Sequence, residues 1–90
     1  MEEYINFYRD VMCYHIEEPQ DVYLFKCKIV GNARKKAVAD FTDTPLWILD
    51  TVGEYVLISS LKRPSANIED YEELAVYTNL EPKTPENLSE

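Results

Sequence analysis

The side chains best suited to catalysis or metal binding are scarce in this sequence of 90 residues. His15 is the only histidine, and it lies two positions from Cys13. Helix positions i and i+2 point apart, so this pair cannot act as nucleophile and base. A structural zinc site built around Cys13 and His15 needs two more thiolate or imidazole ligands, and the chain offers only Cys27. The sequence therefore predicts neither nucleophilic catalysis nor a zinc site, and it places His15 at the surface or at a helix end.

Other catalytic patterns are equally weak. The central segment contains four acids that could ligate a hard cation, namely Asp40, Asp43, Asp50 and Glu54. Their spacing does not match an EF-hand loop. Ser59 and Ser60 have no nucleophile elbow around them. With two glycines in the chain, neither glycine-rich phosphate-binding motif can be written. We expect a protein that is not an enzyme and that takes no cofactor or metal.

Charge is the more informative property. The chain has 17 acidic and 9 basic side chains, a net charge of −8 and a pI near 4.5. Residues 26–36 carry five bases and no acid, whereas residues 64–90 carry seven acids and one base. The overall charge repels nucleic acids and anionic membranes and attracts basic partners. The composition therefore favours a basic protein as the partner, with no direct nucleic-acid or membrane binding.

The acidic block around Tyr71 is the strongest candidate for a binding surface. On a helix, Glu69, Glu72 and Glu73 share one face at spacing i, i+3 and i+4, where like charges repel. Such an array can imitate a phosphate backbone and occupy the basic groove of a nucleic-acid-binding protein. Acids at a solvated helix N-terminus are the simpler interpretation. The predicted partner-binding residues are Glu69, Asp70, Tyr71, Glu72 and Glu73, with Asp40, Asp43, Asp50 and Glu54 as a second patch.

The function that these patterns favour is an acidic inhibitor that acts as a DNA mimic, of the type encoded by viruses and acting in the host cytoplasm. Seven tyrosines would supply apolar anchors at such an interface. The alternative is a small adaptor or assembly protein that acts through a sheet edge or a homodimer interface. Residues 26–36, which we call the basic block, allow two further interpretations: a small nucleic-acid contact, or internal pairing with the acids.

The elements that position these residues begin with a helix over residues 2–16. Ile5, Tyr8, Met12 and Ile16 form its apolar stripe, and Pro19 ends it. Residues 21–30 alternate as a strand, with Tyr23, Phe25, Cys27 and Ile29 on one face. Gly31-Asn32 predicts a two-residue hairpin that places Lys28 opposite Lys35 on a strand over 33–41. A short helix over 33–41 is the competing interpretation.

After a loop at residues 42–45, two strands are predicted over 46–50 and 54–61, joined near Val52-Gly53. Their nearly continuous apolar runs are typical of central strands covered on both faces, or of strands covered by a helix on one. Residues 62–66 form a loop, and Asn67 is the expected N-cap of a C-terminal helix over 68–78. A short helix followed by a strand through 74–77 is the alternative.

Together these elements predict an α+β fold. A mostly antiparallel sheet of three to four strands is covered on one face by an N-terminal and a C-terminal helix. Residues 1–80 form the single domain and residues 81–90 a flexible acidic tail. The two cysteines, far from any C-x-x-C spacing, are expected to be small buried hydrophobes. The longest apolar run, Leu46–Leu49, is too short to cross a bilayer, and we expect a cytoplasmic protein.

Overall fold

The computed structural model describes residues 2–28 and 31–83, with side chains from Ile5 onward. In this part of the chain the helices are α1 (Glu2–Cys13) and α2 (Ala33–Asp40), and a single 3-10 turn spans Ile68–Asp70. The strands are β1 (Gln20–Lys28), β2 (Leu46–Val52), β3 (Tyr55–Ser60) and β4 (Tyr71–Leu80). The α+β class and the antiparallel sheet are confirmed. Ile29, Val30 and residues 84–90 of the expected tail lie outside the described residues.

The four strands form one antiparallel sheet in the order β2-β3-β1-β4. On β1, Lys26 pairs with Leu57 of β3 on one side and with Glu72 of β4 on the other. Of the two strands expected to be central, only β3 is interior. β2 and β4 are the two edge strands, at opposite ends of the strand order.

The sheet is covered on both faces, and this corrects the expectation of two helices on one face. Because β1 carries apolar side chains on both of its faces, these side chains pack in two separate cores. Val22 and Leu24 pack in the core on the α1 side with Met12, whereas Phe25 packs with Phe41 in the core on the α2 side. The cysteines are free and buried, with Cys13 on the α1 side and Cys27 on the α2 side, which confirms the expected burial.

The predicted hairpin at Gly31-Asn32 is wrong, and the competing helix is right. Asn32 has φ −81°, and its side-chain oxygen accepts a hydrogen bond of 3.0 Å from the Lys35 amide, so it is the N-cap of α2. The alanines and basic residues that follow have high helix propensity. Lys28 consequently does not lie opposite Lys35, and it forms an ion pair of 3.1 Å with Glu54.

The predicted C-terminal helix is also wrong, because residues 71–80 form β4. Only Ile68–Asp70 is helical, and Asn67 adopts a left-handed conformation (φ 52°) with no capping hydrogen bond from its side chain. Val76, Tyr77 and Thr78 favour strands, and pairing with β1 selects that conformation. The alternative of a short helix followed by a strand is closer to the structure, although the strand begins at Tyr71.

The β2–β3 hairpin turns at Gly53-Glu54, close to the predicted position, and Gly53 has φ +61°. An L side chain is strained in this region, although nothing lies within 4 Å of a Cβ placed there. We expect Gly53→Ala to lower the free energy of unfolding by about 1 kcal/mol, and Gly53→Asn to cost less because asparagine tolerates positive φ. Urea denaturation measures both, and equal losses for the two variants would contradict this explanation.

Candidate functional site

The acids around Tyr71 do not share a helical face, and three of the four form ion pairs within the chain, two of them with the basic block of residues 26–36. Asp70 lies 2.9 Å from Lys36, and Glu72 lies 3.6 Å from Lys26. Glu73 makes a further ion pair of 2.9 Å with Arg63. Of the four acids of this block, only Glu69 lacks an ion pair to the described part of the chain. Internal pairing, which the sequence left open as an alternative, neutralises much of the charge predicted to face a partner.

Asp40 and Tyr71 were predicted surface contacts, but both are buried, with 3% and 7% of their surface exposed. The Asp40 carboxylate accepts hydrogen bonds from the Tyr71 hydroxyl at 2.6 Å, the Lys36 ammonium at 2.9 Å and the Asn67 amide at 2.9 Å. Burial is the largest influence on the pKa of Asp40 and raises it, but these hydrogen bonds together outweigh burial and hold the pKa below its ordinary value. Asp40 therefore stays ionised as a structural anchor and is closed to a partner.

The backbone of Asp40 also holds the connection between β3 and β4 in place. The backbone carbonyl of Asp40 accepts hydrogen bonds from the Ser65 amide at 2.7 Å and from the Ser65 hydroxyl at 3.0 Å. Lys36 bridges Asp40 and Asp70, and its hydrogen bonds to these two carboxylates raise its pKa. Burial raises the pKa of the nearby Cys27 thiol, which keeps it protonated and unreactive.

The remaining acids of the second patch lie along β2 and its flanking loops. Asp50 accepts hydrogen bonds from the Tyr8 hydroxyl at 2.9 Å and from the Thr51 amide at 2.7 Å. Glu54 is held by its ion pair with Lys28, and Asp43 lies in the loop before β2 with φ 61°. Because β2 and β4 are opposite edges, these acids do not join those of residues 69–73 in one stripe.

The basic block, residues 26–36, also contains both paired and unpaired side chains among the described residues. Lys26, Lys28 and Lys36 are engaged by carboxylates, whereas Arg34 and Lys35 on α2 are exposed and make no ion pair to the described residues. Two exposed cations are a small footprint for a polyanion, which is commonly contacted by many lysines and arginines. The arrangement gives little support to a nucleic-acid contact on this face.

An open groove lies between the α1–β1 connection and the start of β2, and no sequence motif pointed to it. It encloses about 520 Å³. Its lining includes His15, Glu17, Glu18, Pro45, Trp47 and Leu61, and we call it the Trp47 groove. The exposed His15 ring lies against the Trp47 ring, with 5.8 Å between centroids. Two features noted in the sequence lie beside it: the apolar start of β2, and Pro19, which stands between the lining residues Glu18 and Gln20. The helix itself ends earlier than predicted, at Cys13.

Glu17 and Glu18 distinguish this groove from the acidic block at β4. Both side chains are exposed, and neither forms an ion pair with any residue that the structure describes. Asp43, two positions before Pro45, is likewise exposed and makes no ion pair within that part of the chain. The groove thus combines a half-buried indole with carboxylates that have no counter-ion among the described residues.

The other reactive groups are occupied by the fold. Ser59 and Ser60 are fully buried, and their hydroxyls donate to the backbone carbonyls of Tyr23 at 2.8 Å and Pro45 at 2.9 Å. No three His, Cys, Asp or Glu side chains among the described residues are grouped so that they could hold a metal ion. In the same part of the chain, none of the helices has the length and apolar character needed to cross a bilayer.

None of the protein-family models, curated proteins or solved structures compared with the chain matches it.

Proposed function

We propose that this protein is a non-enzymatic binding protein that docks its acidic surface on a basic protein partner. The observation that carries the proposal is the Trp47 groove, where Glu17 and Glu18 lie beside an aromatic anchor and form no ion pair within residues 2–28 and 31–83. Unpaired carboxylates steer a basic partner during encounter, and a half-buried indole adds apolar contact area that slows dissociation. Trp47 is the only tryptophan of the chain, and tryptophan is enriched among residues that dominate binding energy.

In its most specific form, the proposed protein is an inhibitor of viral type that acts in the host cytoplasm. It occupies the basic surface that its partner uses for nucleic acid, so protein and DNA compete for the same lysines and arginines. The charge of −8 supports this form, because it opposes direct binding to DNA and favours a cationic surface. The ion pairs of residues 70–73 move the expected contact from the β4 edge to the Trp47 groove.

The test compares two double variants that change the net charge equally. Glu17→Gln/Glu18→Gln alters the groove, and Glu69→Gln/Glu72→Gln alters the opposite edge, where Glu72 is already paired with Lys26. With each protein immobilised, basic proteins from a lysate are eluted by a salt gradient and identified by mass spectrometry. We expect a basic protein that binds the wild type and elutes at clearly lower salt from the groove variant than from the edge variant.

Added DNA should release that retained protein if it binds through its nucleic-acid surface. Elution that does not depend on salt would contradict electrostatic docking and favour the adaptor alternative. A larger effect of the edge variant would instead return the contact to residues 69–73. Both variants should keep the wild-type circular dichroism spectrum, since exposed substitutions without buried partners change stability little.

A further inference from the structure

Among the residues that the structure describes, no strand covers the outer edge of β2, and β2 is unusually apolar for an edge strand. Within the described residues β2 pairs only with β3, and no backbone hydrogen bond from another segment reaches its outer side. Its first four residues, Leu46–Leu49, are all apolar and only partly buried. An exposed edge of this kind offers unpaired amides and carbonyls to an incoming strand.

The opposite edge, β4, carries the features that discourage strand addition. It bears the exposed Glu72 and Glu73, and its pairing with β1 is interrupted by two register shifts. Charged side chains and bulges are common ways to protect a sheet edge. β2 has one register shift, and its only charged residue is Asp50. β4 is therefore protected against strand addition by charge and irregular pairing, whereas β2 is protected much less.

The charges around β2 favour a basic segment over a second copy of this chain. Glu17, Glu18 and Asp43 lie near the start of β2, and Asp50 lies toward its end. In an antiparallel pair of two β2 strands, the start of each faces the end of the other, which sets these carboxylates against one another. A lysine- or arginine-rich segment makes the same positions attractive.

We propose that β2 binds an extended, basic segment of a protein partner as an added strand, with one side chain of that segment seated in the Trp47 groove. The inference rests on the proposed function and specifies its mode of contact. Backbone hydrogen bonds along Leu46–Val52 supply affinity, and the carboxylates of Glu17, Glu18 and Asp50 select lysine and arginine over other side chains.

The probe is a blocked peptide of about eight residues in which lysine and valine alternate, a length that matches a strand. Because Trp47 is the sole tryptophan and lies on β2, its fluorescence reports binding at this edge directly. A second peptide is identical but N-methylated at alternate amides, which removes the donors of one edge while keeping charge and side chains. A third peptide carries glutamate in place of lysine.

We expect the lysine peptide to shift the Trp47 emission and to slow hydrogen exchange of the amides in residues 46–52 rather than 71–80. Loss of several backbone hydrogen bonds should weaken the N-methylated peptide at least about tenfold. The glutamate peptide should not bind. The Glu17→Gln/Glu18→Gln variant should bind the lysine peptide about fivefold more weakly at low salt, and Glu69→Gln/Glu72→Gln should bind it as the wild type does.

Equal binding of the methylated and unmethylated peptides would overturn strand addition, and so would protection at β4 or no binding of the lysine peptide. None of these results removes the proposed function, which fails if the salt-gradient experiment yields no basic partner or if elution of that partner does not depend on salt. A dimer seen by sedimentation in the absence of peptide, with slowed exchange at residues 46–52, would also overturn the inference, because β2 would then bind a second copy.

Discussion

We expect Asp40→Ala to lower the free energy of unfolding by about 3 kcal/mol, which is a large part of the stability of a small domain. The substitution leaves the Lys36 ammonium, the Tyr71 hydroxyl and the Asn67 amide without their common acceptor. The Tyr71 hydroxyl is buried and remains desolvated without its acceptor, which costs more than the hydrogen bond itself contributed. Lys36 keeps its ion pair with Asp70, and the exposed Asn67 can turn to water. Urea denaturation followed by circular dichroism measures the loss.

Asp70→Ala is the matched control, because Asp70 binds the same Lys36 ammonium at the same distance of 2.9 Å. The Asp70 side chain is 43% exposed, whereas that of Asp40 is 4% exposed. Exposed ion pairs contribute little, so this control should lose less than about 1 kcal/mol. Similar losses for the two variants would contradict the assignment of Asp40 as the buried anchor.

The same carboxylate also makes stability depend on pH. Because the pKa of Asp40 is lower in the folded protein than its ordinary value of 3.8, unfolding takes up a proton in acid. Its contribution is complete above the unfolded-state pKa and is lost as pH falls below about 4 through the folded-state value. We expect Asp40→Asn to reduce the change in unfolding free energy between pH 6 and 3 relative to the wild type.

Phe25→Ala is the second substitution with a large expected effect, about 4 kcal/mol. The Phe25 side chain is 2% exposed and is the largest fully buried side chain of the core on the α2 side. Its ring lies against those of Phe41 at 5.6 Å and Tyr71 at 6.3 Å between centroids. Truncation removes apolar contacts and leaves a cavity between β1 and α2, since the neighbouring rings cannot fill it.

Phe7→Ala provides the control for this prediction, because Phe7 is 59% exposed on α1 and contributes little buried area. We expect its loss to stay below about 1 kcal/mol. Phe25→Leu should fall between the two, because leucine fills part of the space. Both sets of variants can be followed by urea denaturation with tyrosine or tryptophan fluorescence, and equal effects of Phe7→Ala and Phe25→Ala would contradict the described packing.

Local patterns predicted much of this fold. The apolar stripe of α1, the alternation of β1 and the two strands around Gly53 are properties of neighbouring residues, and the structure has them close to their predicted positions. Residues 71–80 were misassigned because their conformation depends on pairing with β1, which lies far away in the sequence. The hairpin at Gly31-Asn32 failed because turn and helix N-cap share the same residue preferences.

The candidate site was harder to predict. The sequence drew attention to the acids of residues 40–54 and 69–73, but Asp40 is buried, and the charge that faces solvent depends on long-range pairs such as Lys36 with Asp70. The Trp47 groove joins the connection after α1 to the start of β2, and these segments meet only in the folded chain. Glu17 and Glu18 follow the predicted helix and were not among the predicted site residues, and no local pattern shows that they lack an ion pair to the described residues whereas Glu72 has one.

The position of β1 at the centre of the sheet has a consequence for synthesis on the ribosome. Of the four strands that the structure describes, β1 is translated first, yet its two neighbours are β3 and β4, the last two of the four in chain order. Tyr23 must wait for Ser60, and Gln20 for Leu80, before their pairs can form. During that interval the apolar strand has no partner on either side, and contacts of such sequence separation slow folding. Nascent chains halted before residue 71 should therefore depend on chaperones more than the completed protein does.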